Sequence, residues 1–307
     1  MASISKFTIK TQTKSISLPS RSHPTTFEIE ELLNKIKATV LEAETASGEA
    51  ICGDLSRLAG LYKCMNNLLT SSTTTQVLMS HGENKKWVDE LVDESVEFLD
   101  VCGGISDMVA EIKDHSRDLV GALRRKGGKL VIENSIMKYN WFRKKMKKDV
   151  KMLVGKLKQV DNMINNGGSV VVDHSDNYHL SAVIRAVIGV SEVTVLVFES
   201  LLTFFSGSVS NSKPNRWSVV VSKLMHREMV ACEDQKENES LGEFGGIDVA
   251  LRLLCKYGVS SESGNAQIAQ CRLERLVVEI ERMESGLECV FRFLIRTRVS
   301  LLNIVSQ

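Results

Sequence analysis

Three groups of residues carry side-chain types that could do chemistry. The densest is the run Arg143, Lys144, Lys145, Lys147, Lys148 and Lys151, with Lys156 and Lys158 just beyond it. Cations at that density attract an acidic protein or an anionic membrane surface. No nucleic-acid-binding motif accompanies them, which ranks nucleic acid below both. The second group is Asp173, His174, Asp176 and His179. Their types ligate metals, but the spacing fits neither a zinc nor a calcium loop and no Cys pair lies near. An exposed polar loop is the expectation. The third is His226 and Cys232, a base and a nucleophile without a third group to orient them. Phosphate-binding glycine loops, HExxH and GxSxG do not occur. Helical enzymes can gather site residues from distant helices, so catalysis stays open, but no catalytic residue, cofactor or metal is assigned.

The basic run has an acidic counterpart. Residues 83–114 hold ten acids and three lysines, whereas residues 116–158 hold fourteen Lys or Arg and three acids. Two helices of opposite charge, joined at Gly127–Gly128, would partly neutralise each other as ordinary solvated faces. That bland reading stands level with a binding role for the lysines.

The elements that position these residues are read from periodicity. Val88, Leu91, Ser95, Phe98, Cys102, Ile105, Val109, Ile112, Ser116, Leu119 and Leu123 alternate in steps of three and four. They form one seam of a long helix, which needs partner rods beside it. Gly103 and Gly104 inside it predict a kink or a close helix crossing. The next helix, about Leu130 to Ile164, repeats the pattern from Ile132 to Ile164, with Asn165–Gly168 expected to end it. Earlier, a helix is expected from Thr25 and another from about Ile51, the latter ending at the Ser71–Thr75 run. Gln76–Met79 would be a short turn of helix. Late in the chain, Pro214 can open a helix, Ile247–Tyr257 is a short one, and a final rod runs from Ala266 to Val305, its apolar frame interrupted by Glu284 and Arg298.

Leu180–Phe205 is the most apolar stretch and raises the question of a membrane span. Arg185, Glu192 and Glu199 answer it: placed seven apart, they form a charged stripe that a lipid core would penalise by roughly 2.5–3.5 kcal/mol each. A central bundle helix with this stripe toward water is expected instead.

Composition agrees. The chain has 307 residues, 43% hydrophobic, with three prolines and a net charge of +1. So little proline leans to an all-α fold, and the near-zero net charge selects no partner. Seven cysteines without a CxxC read as thiols in a reducing compartment. Residues 1–24 are basic and rich in Ser and Thr, read as a disordered tail ahead of a transit peptide because arginine is scarce. Ser17, Ser20 and Ser22 flank Arg21 there, where phosphorylation would meet no steric barrier. The expected architecture is one elongated antiparallel bundle of long helices over 25–307, with a flexible acidic linker near 233–246.

Five segments together resemble one family: SLPSRSHP (Ser17–Pro24), WVDELVDESVEFLDVC (Trp87–Cys102), RKKMKK (Arg143–Lys148), WSVVVSKLMH (Trp217–His226) and LIRTRVSLLNIVS (Leu294–Ser306). The family is the land-plant BYPASS-related one, and the likeness spans about Ser17 to Ser306. It implies a plant protein concerned with root and shoot development, and it brings no catalytic residues or cofactors. Three functions are compatible with this, and the first, a non-enzymatic interaction protein, is the expectation, with the other two as alternatives. The protein would bind other helical proteins through exposed helix surfaces, or dock on anionic membrane through its basic helix, or act as an enzyme on a small-molecule signal. Cytoplasm is the expected compartment, with membrane association and a plastid address both open.

Overall fold

The long amphipathic stretches are all helical in the computed structural model, which describes residues 24–42, 47–79, 82–125, 128–172, 178–207, 242–257 and 264–306. In chain order these are α1 (Pro24–Glu42), α2 (Gly48–Leu69), α3 (Ser72–Met79), α4 (Gly82–Arg124), α5 (Lys129–Val172), α6 (Tyr178–Ser206), α7 (Glu243–Tyr257) and α8 (Asn265–Val305). The described residues contain no strand.

The three-and-four spacing does what it predicts. All eleven seam residues of α4 are at most 7% exposed, and the α5 series from Ile132 to Ile164 is equally buried. α4 and α5 form an antiparallel hairpin. Lys145 pairs with Glu111 at 2.7 Å and Lys156 with Asp100 at 3.3 Å, each pair lying symmetrically about Gly128. Gly104 is the close crossing of this hairpin: a Cβ there would lie 2.7 Å from Leu153 Cδ2. Gly103 faces open space.

α4 packs on its other side against α8, also antiparallel. Lys113–Glu284, Arg117–Glu281 and Arg124–Glu274 pair at 2.5, 2.6 and 2.9 Å along that boundary. The two interruptions of the α8 frame belong here. Glu284 meets Lys113, and Arg298 donates to Val92 O at 2.8 Å and Ser95 Oγ at 3.2 Å. α5 then packs on α6, α6 on α2, and α2 on α8, which closes a ring of five rods around one core. Antiparallel neighbours cannot alternate around an odd ring. The exception is α2 beside α8: Gly48 meets Glu279 and Leu55 meets Gly286, so the two run parallel. α1 lies outside α2 and α6, and α7 outside α8.

Several boundaries differ from the sequence reading. α2 does end at the Ser/Thr run, but Ser71 then starts α3, because its Oγ accepts the Thr74 N–H at 3.2 Å as an N-cap. The first helix opens on Pro24, whose missing N–H costs nothing in a first turn. Asn165–Gly168 lowers helix propensity without a proline to block it, and α5 continues to Val172. Glu243–Gly246, expected as linker, is the first turn of α7, since Phe244 is only 1% exposed and anchors it. Residues 233–241 of that linker and the helix expected at Pro214 lie outside the described residues.

α6 is long and apolar enough to cross a membrane by length and composition, yet 72% of its most apolar window is buried among its neighbours. Arg185 is exposed, and Glu192 pairs with Lys37 at 2.8 Å. Glu199 corrects the expected stripe: it is buried at 8% exposure. Positions seven apart drift about 20° per step around a helix, so the third member has turned from water toward the bundle.

The packing predicts opposite outcomes for two helix glycines. Gly103→Ala should raise stability by about 0.5–1 kcal/mol through helix propensity alone. Gly286→Val should lower it by about 1–3 kcal/mol through overpacking, because even a Cβ there meets Leu55 Cβ at 3.0 Å. Urea unfolding midpoints of the two variants check the pair.

Candidate functional site: the outer face of α5

Helix geometry divides the basic run into three fates. Arg143 turns inward and is 5% exposed, so it is not part of an outer surface. Its Nη1 donates to Phe205 O at 3.1 Å, its guanidinium stacks 4.1 Å over the Phe244 ring, and Asp248 lies 3.7 Å from Nη2. It joins α5 to the end of α6 and the start of α7. The reason is periodicity: Arg143 sits one residue after the seam position Phe142 and four after Tyr139, on the buried arc.

Lys145 and Lys156 flank the seam on the α4 side and are taken up by Glu111 and Asp100. The mutual neutralisation expected of the two charged helices is therefore real for this pair of lysines. Lys147 is half-buried and engaged within the chain.

Lys144, Lys148 and Lys151 form the third set. They are exposed, lie at i, i+4 and i+7, and have no ion-pair partner among the described residues. The same face carries Met137, Trp141 and Met152, which are 66%, 65% and 57% exposed. Between Met137 and Lys158 that face bears no acid. The sequence reading singled out the cations and missed these three apolar residues. The signal was available: once the seam fixes the inward face, steps of three and four from Lys144 reach Met137, Trp141 and Lys148.

The remaining sequence-level candidates are not drawn together with this face. His179, on α6, lies 3.5 Å from Thr74 Oγ1. Asp173, His174, Asp176, His226, Cys232, Ser17, Ser20 and Ser22 lie outside the described residues. Among the described residues no three His, Cys, Asp or Glu side chains are grouped to hold a metal ion. The parallel α2 and α8 leave an open groove of about 840 Å³ lined by Gly60, Ser285, Gly286 and Cys289 among others.

Inside the ring, Glu94 of α4 accepts a hydrogen bond from Ser191 of α6. Tyr62 of α2 bonds Thr194 of α6 at 2.9 Å one turn away. Between them is a cavity of about 20 Å³, room for roughly one water. Burial pushes the Glu94 carboxyl up to about 7, with the Ser191 bond opposing. At the ring's edge, burial first and then the Glu279 charge raise Glu243 to about 7 as well.

Two stability measurements follow. Both carboxyls hold a proton in the folded chain at pH values where the unfolded chain has released it. Their contribution is complete below about 4.5 and is lost as pH rises through about 7. Glu94→Gln should remove much of this slope and stabilise the protein at pH 8 by up to about 3 kcal/mol, read from urea midpoints at pH 5 and pH 8. Arg143→Met should cost about 2–3 kcal/mol by stranding Phe205 O and baring Phe244, with the loss read in the same assay.

No curated protein and no solved structure matches the chain. A family model does, under the description Protein BPS1, over residues 54–304. That span runs from within α2 almost to the end of α8 and contains the α5 face. The chain belongs to the BPS1 family, the BYPASS-related family that its motifs resemble.

Proposed function

We propose that this protein works by binding rather than by catalysis, in plant development, and that it meets its target through the outer face of α5. The family suggests the developmental setting. The observation that carries the binding surface is the contrast within one helix. Lys145 and Lys156 have acidic partners on α4, whereas Lys144, Lys148 and Lys151 stand exposed around Trp141 with none. Unneutralised cations beside a large exposed aromatic ring make a surface suited to an anionic target with some apolar character.

The interior also favours binding over turnover. The polar groups within the ring are set in a core of apolar side chains, and the cavity beside Glu94 is too small for a substrate. The ring gives the α5 face a rigid support, because ten positions along the opposite side of the helix are locked into the core. A rigid helix face loses little conformational freedom when it binds.

Recovery of partners from plant extract tests this. Full-length protein should lose its captured material when Lys144, Lys148 and Lys151 are replaced together by Glu. It should keep that material when Lys35, Lys63 and Lys85, on α1, α2 and α4, are replaced instead. Equal recovery by both triple variants would reject the α5 face as the binding surface.

A further inference from the structure

We infer that the α5 face docks on an anionic lipid bilayer, lying along the headgroup boundary with Trp141 inserted. This rests on the reading of α5 as the binding surface and names what that surface meets.

Three features select lipid. The first is the composition of the stripe. Lys144, Lys148 and Lys151 lie between Trp141 and Met152 on one face, with Met137 one turn before, and the single acid from Met137 to Lys158, Asp149, sits half-buried on the α4 flank and outside that face. This face is the convex side of one helix, which suits a fluid interface. Second, the residue types match the depth profile of a membrane boundary. Tryptophan rings favour the headgroup level, flexible Met side chains enter the acyl boundary, and lysines reach back to phosphate oxygens.

Third, the extent is adequate. From Met137 to Lys158 the stripe runs along about 32 Å of helix axis. Three lysines beside a surface of anionic lipid would each add roughly a fivefold gain in partition, and none is discounted by an ion pair within the described chain. α4 leaves this contact free. Its acids Glu111 and Asp100 engage Lys145 and Lys156 on the flank and do not reach across the outer stripe. The acidic helix thus leaves bare a narrow cationic strip instead of cancelling it.

The test is flotation of purified full-length protein with vesicles of phosphatidylcholine alone or with about a third phosphatidylserine. The protein should float with the anionic vesicles, and Trp141 fluorescence should shift to the blue, isolated by comparison with Trp141→Phe. The variant K144E/K148E/K151E should lose at least about tenfold in partition. Trp141→Ala should lose several-fold while keeping its dependence on anionic lipid. Retained far-UV circular dichroism excludes unfolding, as all four positions are exposed.

Failure of the wild-type protein to float, or flotation unchanged by the triple variant, overturns the inference. If polyglutamate or single-stranded RNA binds as tightly as the vesicles and the Trp141 spectrum stays fixed on lipid, the face is a general polyanion surface and lipid is rejected. A protein that does not float, but whose partner recovery still depends on the three lysines, would leave the α5 face standing as a protein-binding surface. Loss of both would remove the two readings together.

Discussion

Five amphipathic rods around one core impose a constraint that shapes most of the molecule. Each rod turns an apolar face inward, and α6 is buried around most of its circumference, so each has neighbours on both flanks and the layer closes. Closure with an odd number leaves one parallel pair. α2 and α8 take that place, and small residues gather along their boundary: Gly48, Ala59, Gly60, Ser285 and Gly286. Small residues let the two axes approach where Leu55 meets Gly286. They also leave the outer groove shallow and open. The other four boundaries are antiparallel and are marked by ion pairs or polar contacts between rods.

Polar contacts within the core set how the rods slide past one another. Apolar packing alone tolerates shifts by a turn, because a Leu in one layer resembles a Leu in the next. Glu94 with Ser191, and Tyr62 with Thr194, do not tolerate such a shift, since each would leave a buried polar group without a partner. They bind α6 to α4 and to α2 in one register. Phe98 against Phe198, edge to face at 6.4 Å, fills the layer between α4 and α6 nearby. Arg143 does a related service at the far end of α6, where it holds Phe205 O and Phe244 together.

The same helix that supplies this structural arginine also supplies the exposed lysines. A run of like charges in sequence is not a patch in space. Successive residues on a helix point 100° apart, so six cations spread around the cylinder and meet different surroundings. One enters the core and another meets the acidic helix. Lys147 occupies the margin, and three face outward. The functional reading concerns only those three, together with the apolar residues that share their direction.

Periodicity along the chain determined a great deal by itself: the all-α class, the seams of α4 and α5, the hairpin at Gly128, and α6 as a buried rod. These follow from local spacing, because a helix converts steps of three and four into a face whatever surrounds it. The charges of α4 and α5 left pairing level with a binding role, and the hairpin settled it for Lys145 and Lys156 by bringing together residues equidistant from its turn. Other features needed the tertiary structure. That the ring has five members and a parallel pair depends on which seam meets which, and apolar seams are nearly interchangeable. That Glu199 is buried, and that Phe244 turns a seeming linker into helix, depends on walls built by distant segments. That Arg143 serves the core while Lys144 serves the surface was half legible from its distance to Phe142. Its partners, Phe205 and Asp248, lie 62 and 105 residues further along, and only folding brings them near.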